Sequence, residues 1–224
     1  MTSVTAIIVT RGDVDLDQVI GSLPRDWEVI LWNNGVPEVQ VYGVCRFTLP
    51  SIKDLSVYGR YAAIEHASHD LIYVQDDDCI VSDPQAIVNA WMDIPVSLAS
   101  VTEHGHNAGV VCNMPSEFRH DFYTDHALVG FGAAFHRDAP ERAFARFQRE
   151  TEFLSRGPWE SVVPFYRRTC DIVFTALTPR VLVDVPKTNL PWADDETRMY
   201  RQPTHQAERA AMLDLVLSTQ KETA

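Results

Sequence analysis

The sequence has no basic block, no long apolar run and no paired cysteines, and each absence removes a class of function. Lysine and arginine number 19 against 31 aspartates and glutamates, a net charge of -12, and no stretch is rich enough in Lys and Arg to track a phosphate backbone. Tight binding to duplex nucleic acid is therefore disfavoured. No apolar run approaches the roughly 20 residues that span a bilayer, and the N-terminus enters a strand pattern with no charged and apolar signal segment ahead of it. The expectation is a soluble, cytoplasmic protein with no membrane span. Cys45, Cys79, Cys112 and Cys170 contain no Cys-x-x-Cys pair and no zinc-knuckle or disulfide spacing, so free thiols in a reducing compartment are expected.

What is present is a stretch around which the chain is organised, Leu71-Ile72-Tyr73-Val74-Gln75-Asp76-Asp77-Asp78. A short apolar run rich in β-branched and aromatic residues reads as a buried parallel strand. Its end carries three carboxylates. Two unit charges 4 Å apart repel by about 1 kcal/mol in water and about 4 kcal/mol near a protein surface, so the cluster calls for a compensating cation. Ligands of open α/β sheets bind just beyond the carboxyl ends of the strands. Asp76 and Asp78, two apart on an extended chain, point to one side and suit a divalent ion; Asp77 points away. Ser82-Asp83-Pro84 then reads as a helix start, with a capping acid and proline at the first helical position.

With 224 residues, 46% of them hydrophobic, one globular α/β domain over 1–224 is expected, with a ligand-binding half at 1–112 and a second half at 113–224. Residues 4–9 form a compact apolar strand ending in Thr10-Arg11-Gly12-Asp13, followed by helical spacing of Val14, Leu16, Val19, Ile20 and Leu23. A strand over 28–32 stops at Asn33-Asn34-Gly35, a turn signal, and 44–48 suits a third strand. Residues 57–68 suit a helix with Arg60 near its beginning. This alternation argues for βαβ units, with Thr10, Arg11, Asn33, Asn34, Arg60 and the aspartates converging on one edge.

The segments Val9-Thr10-Arg11, Trp32-Asn33-Asn34-Gly35, Gly59-Arg60 and Asp76-Asp77-Asp78 give this half, from Thr5 to Trp91, a resemblance to glycosyltransferases of the GT-A fold, particularly the inverting family 2. The resemblance implies a GT-A-like nucleotide-binding α/β sheet, Rossmann-like and mixed, with helices on both faces. It implies a nucleotide-sugar donor, UDP- or GDP-linked, contacted by Thr10, Arg11, Asn33, Asn34, Arg60, Asp76 and Asp77, and Mn²⁺ or Mg²⁺ held by the Asp-x-Asp acids Asp76 and Asp78. The family often has an acid at the end of the second strand to meet the base, where this chain has Asn33 and Asn34. The base is left open. Processive members carry membrane helices and a Gln-x-x-Arg-Trp signature; this chain has neither, which favours addition of one sugar.

In the second half, 96–101 and 109–112 suit strands around Glu103-His104-Gly105-His106, where two histidines at strand spacing could bind a metal or lie on a surface loop. The small, apolar 128–137 has glycines where a backbone might approach a ligand, and the family uses such a strand on the acceptor side. Asp138-Ala139-Pro140-Glu141 reads as a capping box. In the helical 164–177, Phe165, Ile172, Val173 and Ala176 form an apolar stripe with Asp171 at its border, partly desolvated and suited to accept a proton. The resemblance makes such an acid the catalytic base; the alternative is a structural partner for Arg167 or Arg168, and Asp121 and Asp125 compete for the role. A polar loop over 187–204 with aromatic and basic residues suits a mobile lid over the donor phosphates. His205 begins a final helix, and in several GT-A enzymes a late His completes the metal site.

The expected function is a metal-dependent, inverting, hexosyltransferase-type glycosyltransferase, its acceptor a protein, glycan, lipid head group, small molecule or modified base. The rivals are a sugar-nucleotide nucleotidyltransferase, a non-catalytic nucleotide- or glycan-binding module, and a metal hydrolase using His104 and His106. The first expects a Gly-rich loop after the first strand, where Thr10-Arg11-Gly12-Asp13 has a single glycine.

Overall fold

A computed structural model describes residues 3–35, 47–50, 54–94, 107–116, 125–196 and 198–222. Cys45, Glu103, His104, His106 and Asp121, and the strand expected over 96–101, lie outside the described residues.

Seven strands form one sheet, β1 (Val4–Thr10), β2 (Glu28–Asn33), β3 (Phe47–Pro50), β4 (Leu71–Asp76), β6 (Val110–Asn113), β7 (Ala133–His136) and β8 (Arg180–Val183). Their order is β3-β2-β1-β4-β7-β6-β8. β1 lies inside the sheet and pairs in parallel with β2 and β4, while β7 runs antiparallel to both β4 and β6. Strands from both halves of the sequence therefore share one sheet. β5 (Cys79–Val81) and β9 (Lys187–Asn189) form a separate antiparallel pair.

The sheet is covered on both faces, which is why its central strands read as continuous apolar runs. Val4, Ala6 and Ile8 of β1 face a core with Leu16, Val19 and Ile20 of the α1 region (Asp17–Gly21) and Ile87 and Val88 of α3 (Pro84–Met92). Ile7 faces the other core, with Tyr61 of α2 (Gly59–Ala62), Ala143 of α4 (Ala139–Thr151) and Phe174 of α5 (Trp159–Leu177). Outside that layer, Phe147, Ile172 and Val173 meet Met212 and Val216 of α6 (His205–Glu222).

Asp83 caps α3 as its sequence implies, its Oδ1 accepting from the Ala86 N–H at 3.0 Å. Four local expectations change. α1 is only five residues long, and residues 56–66 form a short α-helix between two 3-10 turns. Asp138 makes no side-chain cap for α4; its carboxylate lies 3.5 Å from His136 Nδ1 instead. α5 starts at Trp159 rather than 164 and carries Pro164 inside it. A proline one turn in removes a single early N–H, a smaller loss than a break in the helix centre.

Glu28, on the first residue of β2, is 5% exposed and accepts from the Thr5 hydroxyl at 2.5 Å and from the Ser68 N–H and hydroxyl at 2.7 and 2.8 Å. Burial raises its pKa, but the Thr5 and Ser68 bonds more than offset this and hold it below the ordinary 4.5. Its stabilisation is present above that ordinary value and is lost as pH falls through the lower folded one. Glu28→Gln should therefore lower stability by about 1–3 kcal/mol at pH 7 in urea unfolding, with the gap closing as the pH is taken well below 4.5.

Candidate active site

The carboxyl ends of β1, β2 and β4 bring Thr10, Asn33 and Asp76 to one edge of the sheet. Thr10 Oγ1 accepts from the Gly12 N–H at 3.0 Å, and Thr10 O accepts from the Asn34 N–H at 2.8 Å, so the first two loops are tied together.

The three aspartates have three different environments. Asp76 ends β4, donates its N–H to Gly130 O at 2.8 Å, and accepts from Arg60 Nη2 at 2.7 Å. A Cβ on Gly130 would overlap the Asp76 carboxylate, so only glycine fits there. Asp77 is buried; its Oδ1 accepts from Arg198 Nη1 at 3.0 Å and its main-chain oxygen from Trp192 Nε1 at 2.9 Å. Burial pushes its carboxyl up, opposed by Arg198 and the Thr10 hydroxyl. Asp78 is partly exposed and its carboxylate makes no hydrogen bond or ion pair among the described residues. Burial, then Asp76 and Asp77, push it up to about 7, against the pull of Arg198 and Lys187. Protein cations thus answer two of the three acids and leave the third unanswered.

Arg60 is fully buried and reaches from Asp76 to Asp171, its Nη1 lying 3.4 Å from Asp171 Oδ2. Tyr61 donates its hydroxyl to Asp171 Oδ1 at 2.6 Å. Burial disfavours the Arg60 charge, but Asp171 and Asp76 outweigh it and keep the guanidinium protonated. Burial and the neighbouring Asp171 likewise keep Tyr61 a neutral donor. The partner of Asp171 is thus Arg60 rather than Arg167 or Arg168; Arg168 pairs with Glu208 at 2.7 Å.

The other predicted residues fall into two groups. Arg11 sits in the loop beside this edge, partly exposed and paired with Asp13 at 2.7 Å. Asn33 and Asn34 are buried and shape their own loop: Asn33 Oδ1 accepts from the Gly35 N–H, and Asn34 Oδ1 accepts from Trp32 Nε1 and the Leu55 N–H while its Nδ2 donates to Ser56 O. His205 is buried at the start of α6, where burial and then Arg209 lower its pKa, and no hydrogen bond or ion pair joins it to the aspartates among the described residues. Asp125 is exposed.

The segment expected as a lid is strapped to the acidic turn in this structure. β9 pairs with β5, the Leu190 N–H donates to Asp78 O at 2.8 Å, and Arg198 and Trp192 hold Asp77 from behind. Sequence reasoning placed Trp192 and Arg198 among the aromatic and basic residues of the 187–204 loop but not against Asp77, and it missed Tyr61 as a partner of Asp171; Gly130 left a signal as a glycine placed for close backbone approach.

Among the described residues, no three His, Cys, Asp or Glu side chains gather as ligands of one ion. Asp78 and Asp76 alone match a hard cation that takes one or two carboxylates, with phosphate oxygens and water completing its shell. The residues present fit such an ion and do not form an all-protein cage.

No protein-family model matches the sequence, and no curated protein matches it. Solved structures do. Glucosyl-3-phosphoglycerate synthase from Mycobacterium tuberculosis, crystallised with Mn²⁺, UDP and glucosyl-3-phosphoglycerate, aligns at 11% identity and TM-score 0.50 over 97% of this chain and 78% of its own. The mannosyltransferase PcManGT from Pyrobaculum calidifontis, in complex with GDP-Man and Mn²⁺, aligns at 16% identity and TM-score 0.49 over 93% and 63%. TarS 1-349 from S. aureus aligns at 10% identity and TM-score 0.48 over 97% and 71%, and the chain covers 35% of the longer TarS structure. The likeness to the mycobacterial synthase is one of fold: a GT-A-like mixed α/β sheet with helices on both faces. No helix among the described residues is long and apolar enough to cross a membrane.

Two outcomes follow from the acid turn. Removing one partner of a buried pair strands the other, so Arg198→Ala should cost about 3–5 kcal/mol in urea unfolding and expose 187–201 to limited proteolysis. The raised Asp78 carboxyl favours the fold below its ordinary 3.8, and that contribution is lost as pH rises through about 7. Asp78→Asn should therefore melt above wild type at pH 8 in chelator and no higher than it near pH 4.

Proposed function

We propose that the chain is a metal-dependent glycosyltransferase that moves a sugar from a UDP- or GDP-sugar to an acceptor hydroxyl with inversion. The observation that carries this reading is the buried Arg60, bonded to Asp76 and ion-paired with Asp171, which joins the acidic turn and the proposed base in one unit at the ligand-binding edge of the sheet. Asp78 and Asp76 would hold Mn²⁺ or Mg²⁺, whose charge offsets that of the departing diphosphate. Mn²⁺ and UDP are also the pair bound to the mycobacterial synthase of the same fold.

Asp171 is the proposed base. Tyr61 fixes its Oδ1, and Oδ2, ion-paired with Arg60 Nη1 at 3.4 Å but with no hydrogen bond among the described residues, is the oxygen proposed to take the proton. The acceptor oxygen attacks the anomeric carbon, the bond from that carbon to the diphosphate oxygen breaks, the nucleoside diphosphate leaves with the electron pair, and the acceptor proton passes to Asp171. Arg60 holds Asp76 and Asp171 in register but is buried too deeply to meet the donor. Arg11, partly exposed and paired with Asp13, is the cation of the first loop and would be the group there to meet the nucleotide.

Thermal-shift measurements on the full chain with UDP- and GDP-sugars should show stabilisation that requires Mn²⁺ or Mg²⁺. Asp78→Ala should abolish both the stabilisation and metal-dependent turnover, by at least about 100-fold. Asp171→Asn should bind donor like wild type while transfer falls about 100-fold or more. Full metal-dependent turnover in Asp78→Ala rules out the metal assignment, and unchanged transfer in Asp171→Asn rules out the base.

A further inference from the structure

Arg167 lies on α5 one turn before Asp171, so the two share a face of the helix. α5 runs from the 56–58 turn, beside the ligand-binding edge, down to the start of β8. Arg167 therefore sits about 6 Å nearer the open edge than Asp171, four residues at 1.5 Å each. It is half-buried, and its guanidinium makes no hydrogen bond or ion pair with any described residue. The neighbouring arginines differ: Arg60, Arg168 and Arg198 each have a carboxylate partner. Although the chain has a net charge of -12, no carboxylate among the described residues answers this guanidinium beside the proposed base.

Its surroundings form an open wall. Tyr58, half-buried, packs its ring 6.0 Å from Tyr166 and 5.8 Å from Phe144. The Tyr58 hydroxyl is pushed up by burial and the Cys170 thiol, and Arg167 pulls it back, so the two groups are close in space; Glu141 acts on it weakly in the opposite sense. Aromatic faces alone would suit a neutral sugar or an apolar acceptor. A cation with no carboxylate partner among the described residues adds a demand for negative charge, and the planar guanidinium fork matches phosphate or carboxylate oxygens.

We propose that Arg167 binds an acid group of the acceptor, which is a hydroxy compound carrying a phosphate or carboxylate within about one helical turn of the hydroxyl that reacts. This rests on the glycosyltransferase reading for the acceptor's role, and on Arg167 itself for the anion.

The test is isothermal titration of the full chain with glycerol 3-phosphate, gluconate and glycerol, with and without UDP and Mn²⁺. Wild type should bind one or both acids and not glycerol, with UDP and Mn²⁺ already in place. The phosphate and carboxylate arms tell which acid is preferred. Arg167→Gln should weaken acid binding at least tenfold, Arg167→Lys should retain part of it, and both should bind UDP with Mn²⁺ like wild type. Equal acid binding by Arg167→Gln, binding of neither acid by wild type, or acid binding only in competition with UDP would overturn the proposal. Failure of wild type to bind UDP with Mn²⁺ counts against the glycosyltransferase reading, and the Arg167→Gln comparison without nucleotide still decides the anion site.

Discussion

Everything at the ligand-binding edge hangs on one buried cation. Arg60 has no access to solvent, and removing a guanidinium from water costs several kcal/mol. Two carboxylates from distant parts of the chain offset that cost, Asp76 from the end of β4 and Asp171 from the middle of α5. The arrangement fixes the distance between the acidic turn and the helix that packs across the sheet. It also explains why residues 56–66 form only short helical turns, since the element's task is to deliver Arg60 and Tyr61 inward rather than to present a long amphipathic face.

The three consecutive aspartates divide their work in a way that a simple repulsion argument does not anticipate. One carboxylate is answered from beneath by Arg60, one from behind by Arg198, and the third faces outward with only distant cations to balance it. Electrostatic strain is thereby concentrated on Asp78. The divalent ion proposed for this site would relieve repulsion already present in the fold.

Much of this was legible in the sequence because period and punctuation carry it. The apolar run closing in acids located β4 and its turn, Asp83-Pro84 located the start of α3, and the border position of Asp171 located a carboxylate at the edge of a core. Partnerships were not legible. Arg198 and Asp77 stand 121 positions apart, and no local pattern distinguishes an arginine that closes a buried pair from one in a polar loop. Asn33 and Asn34 read equally as turn residues and as ligand groups because the two share a chemistry; the bonds that Asn33 Oδ1 and the Asn34 amide make within their own loop had no signature of their own. The early start of α5 was hidden by Pro164, which reads as punctuation although the helix tolerates it in its second turn.

The strap has a bearing on how the polypeptide is made. Asp77 emerges from the ribosome long before Arg198, and at about 5–20 residues per second the interval is on the order of 10 s. Throughout it the nascent acidic turn lacks the guanidinium that lets it be buried, although Arg60 is already available to Asp76. The sheet can begin to assemble from its earlier strands, but the turn at its edge is completed only once residue 198 has been made, so a nascent chain that has reached β8 but not Arg198 holds the strands of the sheet and an unfinished acidic edge.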